Sequence, residues 1–140
     1  MAAARISGVI HLVVAWLLVA GVVTMFFLAG LGVFAGSGDF ATHRDVGYLL
    51  TLFPVVLFVA ALVGHLGRRQ VVMPVVILGL FILQSVLVFQ RDSVPEIAAL
   101  HPVNGFVIAL LALQLAREAW GRWRGEDSPE EPVSTPAPGS

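Results

Sequence analysis

Residues 6–34, 46–64, 71–89 and 105–116 contain no aspartate, glutamate, lysine or arginine. A helix needs about 20 mostly apolar residues to cross a bilayer. The first three stretches come close to or exceed that length, and the fourth reaches it with its flanks. Hydrocarbon offers a backbone N–H or C=O no partner, so such segments satisfy their polar groups internally, as helices. The expected fold is all-α: an integral membrane four-helix bundle over residues 1–124, with spans at about 6–34, 40–66, 71–90 and 94–120. Val33-Phe34-Ala35 resembles a signal-peptide cleavage site. The apolar run before it, however, far exceeds the roughly 7–15 residues of a signal-peptide core, so the first span is expected to remain uncleaved.

Composition agrees with this. The chain is 58% hydrophobic and 12% charged, against about 45–50% and about 25% in soluble domains. With no cysteine, there is no disulfide, thiolate metal site, iron–sulfur cluster or c-type haem attachment. Any cofactor must be held through nitrogen or oxygen. No basic footprint for nucleic acid is present. All eight basic residues are arginines. Arg5, Arg68, Arg69, Arg117, Arg122 and Arg124 fall on one side of the spans, and Arg44 and Arg91 on the other with Asp39, Asp45, Asp92 and Glu96. Positive loops stay cytoplasmic, which puts both termini on the cytoplasmic face of a bacterial plasma membrane. Trp120 and Trp123 suit an interfacial belt on that face. The acidic, proline-rich tail, residues 125–140, buries too little apolar surface to order and is expected to be disordered and cytoplasmic.

Local signals predict the helix ends. Ser93-Val94-Pro95-Glu96 reads as a capping box opening the fourth helix, with His101 two turns inside and Pro102 kinking it. Asp39 or Thr42 is expected to cap the second helix near His43. Pro54 falls mid-membrane, where freed carbonyls need partners within the bundle. Gly21, Gly30, Gly32 and Gly79 are expected to allow close helix approach, and Thr24, Thr51 and Gln84 to hydrogen-bond across helices.

The four histidines lie in or beside the apolar spans, where an ionisable side chain is a functional candidate. His43 and His101 belong to the outer ends of the second and fourth helices, His11 and His65 to the inner ends of the first and second. At 1.5 Å per residue, His43 and His65 lie about 33 Å apart, so the two levels cannot share a site. His43-Arg44-Asp45-Val46-Gly47-Tyr48-Leu49-Leu50 and His101-Pro102-Val103-Asn104-Gly105-Phe106-Val107-Ile108 share one pattern: histidine, three residues, glycine, an aromatic, two aliphatics. Each opens the second helix of a hairpin. The chain therefore reads as two hairpins in parallel pseudo-repeat, which brings the two histidines to one depth. Gly47 and Gly105 lie one turn from their histidines on the same face and leave room for a flat macrocycle. Neutral imidazole ligates haem iron, and two histidines leave no open position, which favours electron transfer over oxygen chemistry. Arg44 and Arg91 are candidate propionate partners, and Gln84 is a candidate to orient an outer histidine. His11 and His65 are weaker candidates for a second, inner haem. Equally available is a structural reading, in which the histidines cap or bond neighbouring helices and the arginines anchor at the interface.

Gly36-Ser37-Gly38, Thr42-His43-Arg44, Leu83-Gln84-Ser85-Val86-Leu87-Val88, Val94-Pro95 and Ala99-Leu100-His101 together resemble one four-helix half of haem A synthase. The resemblance implies b-type haem held by His43 and His101. Phe40 stands where that family has a glutamate, its cysteine pair is absent, and only one half is present, so oxidation of the haem methyl group is not carried over. The chain is also similar to small four-helix bacterial membrane proteins of uncharacterised function with an outer His-x-x-x-Gly in helices two and four.

The expected function is a small b-type haem protein for electron transfer or haem handling, partnered by the lipid bilayer and by a redox partner or larger membrane complex. No catalytic residue is assigned. The alternative is a cofactor-free scaffold or accessory subunit of a larger complex. A proton-linked carrier is weakened by the lack of an acidic residue deep in a span.

Overall fold

The computed structural model describes residues 2–35 and 40–125, and six helices account for most of them: α1 Ala2–Phe34, α2 Ala41–Leu50, α3 Leu52–Val63, α4 Arg68–Phe89, α5 Pro95–Ala98 and α6 Leu100–Arg124. They form four spans long and apolar enough to cross a membrane: α1, α2 with α3, α4, and α5 with α6. Between 11% and 28% of each span's most apolar window is buried. Large side chains such as Phe27, Phe89, Leu110 and Val103 point outward, a surface suited to lipid. The chain is a multi-pass membrane protein. The tail predicted to be disordered falls, from residue 126 on, outside the described residues, as do Gly36, Ser37, Gly38 and Asp39.

Each span packs against two neighbours. The first and third each contact the second and fourth, while the first and third, like the second and fourth, make no direct backbone approach to each other. The cross-section is a square with the spans of His43 and His101 on one diagonal. Its core runs through Leu18, Leu57, Ile77, Phe81, Ile108 and Leu115. Alanines line the seam: Ala15, Ala61, Ala112 and Ala116 have no exposed surface. In lipid, helices are held by close van der Waals approach, so small side chains at the contact set how near two backbones come. Two of the four glycines expected to do this are placed to do so, Gly21 against Leu50 and Gly32 against the Phe40 ring. Gly30 and Gly79 face open space; alanine takes their expected role because it permits nearly the same approach with better helix propensity.

Two spans break in register with their prolines. Thr51 interrupts the second span three residues before Pro54, and Ala99 interrupts the fourth three residues before Pro102. Proline lacks the amide that would bond the carbonyl four residues back, and its ring crowds that turn. Pro74 leaves α4 unbroken but deprives the Gln70 carbonyl of its helical donor.

The side-chain caps expected at Ser93 and Thr42 do not form, and Asp39 lies outside the described residues. The N-cap of α5 is Val94 without a side-chain hydrogen bond, and Pro95 opens the helix. Ser93 belongs to the preceding turn, where its amide bonds the Gln90 carbonyl at 3.0 Å, so the capping box is not made. Thr42 lies inside α2, whose N-cap is Phe40. The two threonines bond within their own helices, Thr24 to Ala20 O at 2.9 Å and Thr51 to Gly47 O at 3.1 Å. A hydroxyl reaches the carbonyl one turn back before it reaches another helix. Gln84 does bond across helices as expected: the Asn104 amide on α6 donates to Gln84 Oε1 at 2.8 Å and to Leu80 O at 2.9 Å, both on α4.

Two substitutions test this packing. Gly21→Val forces a side chain into Leu50 and is expected to destabilise the bundle by about 1–3 kcal/mol, whereas Gly30→Val, in open space, is expected to leave it unchanged. Denaturant titration in mixed micelles reads both, and equal stability of the two variants would remove Gly21 from the interface. Asn104→Leu, which loses both ties, is expected to cost about 0.6–1.7 kcal/mol in the same titration.

Candidate functional site

At the end of the bundle away from Arg5, the half-buried rings of His43 and His101 meet with centroids 6.1 Å apart and planes tilted by 54°. They come from α2 and α6, helices with no backbone contact, so the two side chains bridge the diagonal themselves. His43 Nδ1 donates to Met25 O on α1 at 3.1 Å, and His101 Nδ1 donates to Gln84 O on α4 at 3.2 Å. A carbonyl oxygen only accepts, so Nδ1 carries a proton in both rings, and in the neutral imidazole Nε2 then keeps its lone pair. The acceptor lies 18 residues before His43 and 17 before His101. Each hairpin thus clamps its own histidine, and the two clamps are near repeats of one another.

The glycines complete the correspondence. A side chain at Gly47 would meet the Met25 methyl, and one at Gly105 would meet Gln84 Nε2. Met25 and Gln84 therefore play equivalent parts: each accepts a histidine proton with its backbone and covers the adjoining glycine with its side chain. The space expected for a flat ring is filled by the ends of these flexible chains, which must swing aside to admit one. Gln84 orients His101 through its backbone, while its side-chain oxygen is held by Asn104. The Phe40 ring stands edge-on to His43 at 6.3 Å.

The other candidates lie elsewhere. Arg44 pairs with Asp45 at 2.9 Å and Arg91 approaches Asp92 at 3.4 Å, both exposed at the histidine-pair end. Such pairs contribute little and exchange partners readily. His65 is exposed in the α3–α4 turn at φ 51°, away from any partner in common with the outer pair. His11 has no exposed surface and lies at the opposite end. Neither of its ring nitrogens makes a hydrogen bond, and Gln70 Oε1, also buried, makes none. Beside them the Glu118 carboxylate joins α6 to α4, accepting from Gln70 Nε2 at 2.9 Å and pairing with Arg69 at 2.7 Å. Among the described residues no group of three or more histidines and carboxylates is placed to hold a metal ion.

Sequence reasoning gave no site role to Met25 and Asn104 at the outer site or to Gln70 and Glu118 at the inner one, and Phe40 entered only as a departure from the family's glutamate. Asn104 had a signal, since it is the chain's only asparagine and sits in a span. Met25 had none, because its backbone does the work.

Residues 26–91 match a family of unknown function (DUF6220). The match includes His43, Gly47 and Gln84 and stops short of His101. No curated protein and no solved structure matches the chain. The likeness to half of haem A synthase therefore has no counterpart among these comparisons, and what they leave standing is a four-helix membrane bundle similar in part to a family without an assigned role.

Proposed function

We propose that this chain is a small b-type haem-binding membrane protein for electron transfer or haem handling, with His43 and His101 as axial ligands. One observation carries the reading: two imidazoles from diagonal helices stand 6.1 Å apart with both Nδ1 atoms held by carbonyls. Two rings bound on opposite sides of one metal through nitrogen bonds of about 2 Å put their centroids about 6 Å apart. Metal-binding histidines characteristically donate the other ring N–H to a carbonyl or carboxylate, which fixes tautomer and orientation. The donor set thus fits haem iron, and Met25 and Gln84 are the side chains that yield space for the ring. Haem bound by two histidines supplies a one-electron couple with no open coordination position. Arg44 and Arg91 would take the propionates in exchange for Asp45 and Asp92. The arginine distribution supports cytoplasmic termini in a bacterial plasma membrane, which turns the pair outward, toward a redox partner or a larger membrane complex.

A second reading is favoured by the filled glycine notches: a cofactor-free scaffold or accessory subunit in which the two histidines simply tie each hairpin together. A reduced-minus-oxidised absorption spectrum of the detergent-purified protein from haem-replete cells separates the two. The expected result is a b-type spectrum lost in both His43→Ala and His101→Ala. A colourless wild type would overturn the haem reading and leave the scaffold.

A further inference from the structure

The end of the bundle opposite the histidine pair carries a second site. His11, fully buried on α1, lines a pocket of about 200 Å³ together with Arg5, Leu66, Arg122 and Trp123. That volume is several times the roughly 30 Å³ share of a water molecule. The Gln70 carbonyl, deprived of its helical donor by Pro74, approaches the His11 ring outside bonding geometry. Both ring nitrogens are buried without a hydrogen-bond partner among the described residues, and they form the polar floor beneath the pocket. Two guanidiniums at the mouth favour an anion, because arginine matches phosphate and carboxylate oxygens in paired hydrogen bonds.

An adjoining groove of about 380 Å³ decides the class of anion. Its lining of Ala2, Ile6, Val9 and Ile10 is apolar, and it shares Arg5 and Trp123 with the pocket. Charged pocket and apolar groove thus meet at one arginine and one indole, the residue types that mark headgroup depth. A free phosphate has no use for the groove. A zwitterionic lipid would bring its own cation against two guanidiniums.

We propose that this end of the bundle binds an anionic phospholipid, its phosphate held between Arg5 and Arg122 above His11 and one acyl chain lying along Ile6, Val9 and Ile10. Basic pockets between transmembrane helices take such headgroups. The site is independent of haem at the outer pair.

Trp123 borders both cavities and reports the bound chain. With Trp16→Phe and Trp120→Phe it becomes the only tryptophan. The protein is reconstituted in phosphatidylcholine vesicles containing brominated-chain phosphatidylglycerol or, in parallel, brominated-chain phosphatidylcholine. The expected result is a preference of Trp123 quenching for the anionic lipid, reduced on the order of fivefold by Arg5→Gln and by Arg122→Gln and also lowered by His11→Ala. Arg68→Gln with Arg69→Gln, at the same end but outside the pocket, is expected to preserve it. Arg5 is exposed, so Arg5→Gln tests the site even where His11→Ala fails to fold. Equal quenching by both lipids would overturn the proposal. So would an equal loss of preference in the Arg68 and Arg69 variant, or displacement of the anionic lipid by millimolar inorganic phosphate.

Discussion

Inside hydrocarbon there is no water to complete an unfinished hydrogen bond, and the polar chemistry of this bundle is organised by that fact. Helices satisfy most of the backbone, but three prolines, Pro54, Pro74 and Pro102, each withhold an amide from the carbonyl one turn back. Two of them coincide with the interruptions at Thr51 and Ala99. The third leaves the Gln70 carbonyl beside His11. Buried and half-buried side chains answer to the same rule. His43, His101 and Asn104 each donate to a carbonyl of the adjacent helix, using the second lone pair that a helical carbonyl still has available.

These ties are concentrated near the two ends, with an apolar core of Leu18, Leu57, Ile77 and Ile108 between them. At one end both imidazoles are held through Nδ1 by nearly repeated clamps. At the other, His11 and Gln70 retain buried polar atoms without a hydrogen-bond partner among the described residues, next to a carboxylate held by Arg69 and Gln70. The repeat is also imperfect in an informative way. Asn104 braces the second hairpin through Leu80 and Gln84, whereas the corresponding place in the first hairpin is Val46, with no polar group to offer. At the outer end the half carrying His101 is therefore tied by two side chains, His101 and Asn104, and the half carrying His43 by His43.

Hydropathy alone was enough to read the four spans, since the cost of exposing apolar side chains or burying charge is summed over some twenty residues and leaves no rival solution. The equivalence of His43 and His101 was legible too, because a shared spacing to glycine survives on both second helices. The cap signals at Ser93 and Thr42 do not carry through to the structure: a cap is one hydrogen bond whose partner is settled by the turn before it, and here Val94 and Phe40 occupy those positions. Glycine was credited with packing that Ala15, Ala61, Ala112 and Ala116 largely perform, because a residue's size is visible in a sequence but the face it turns to a neighbour is not.

What the sequence by itself determined was the number of spans, the uneven arginine ends and the depth of each histidine, all of which follow from local composition and the fixed rise of a helix. Only the tertiary structure decided that the spans of His43 and His101 lie on a diagonal, that the Met25 and Gln84 carbonyls accept their hydrogen bonds, and that His11, Arg5 and Arg122 share a pocket. Those arrangements depend on how each helix is rotated about its axis. Rotation is set by contacts among residues far apart in the chain, to which no local pattern has access.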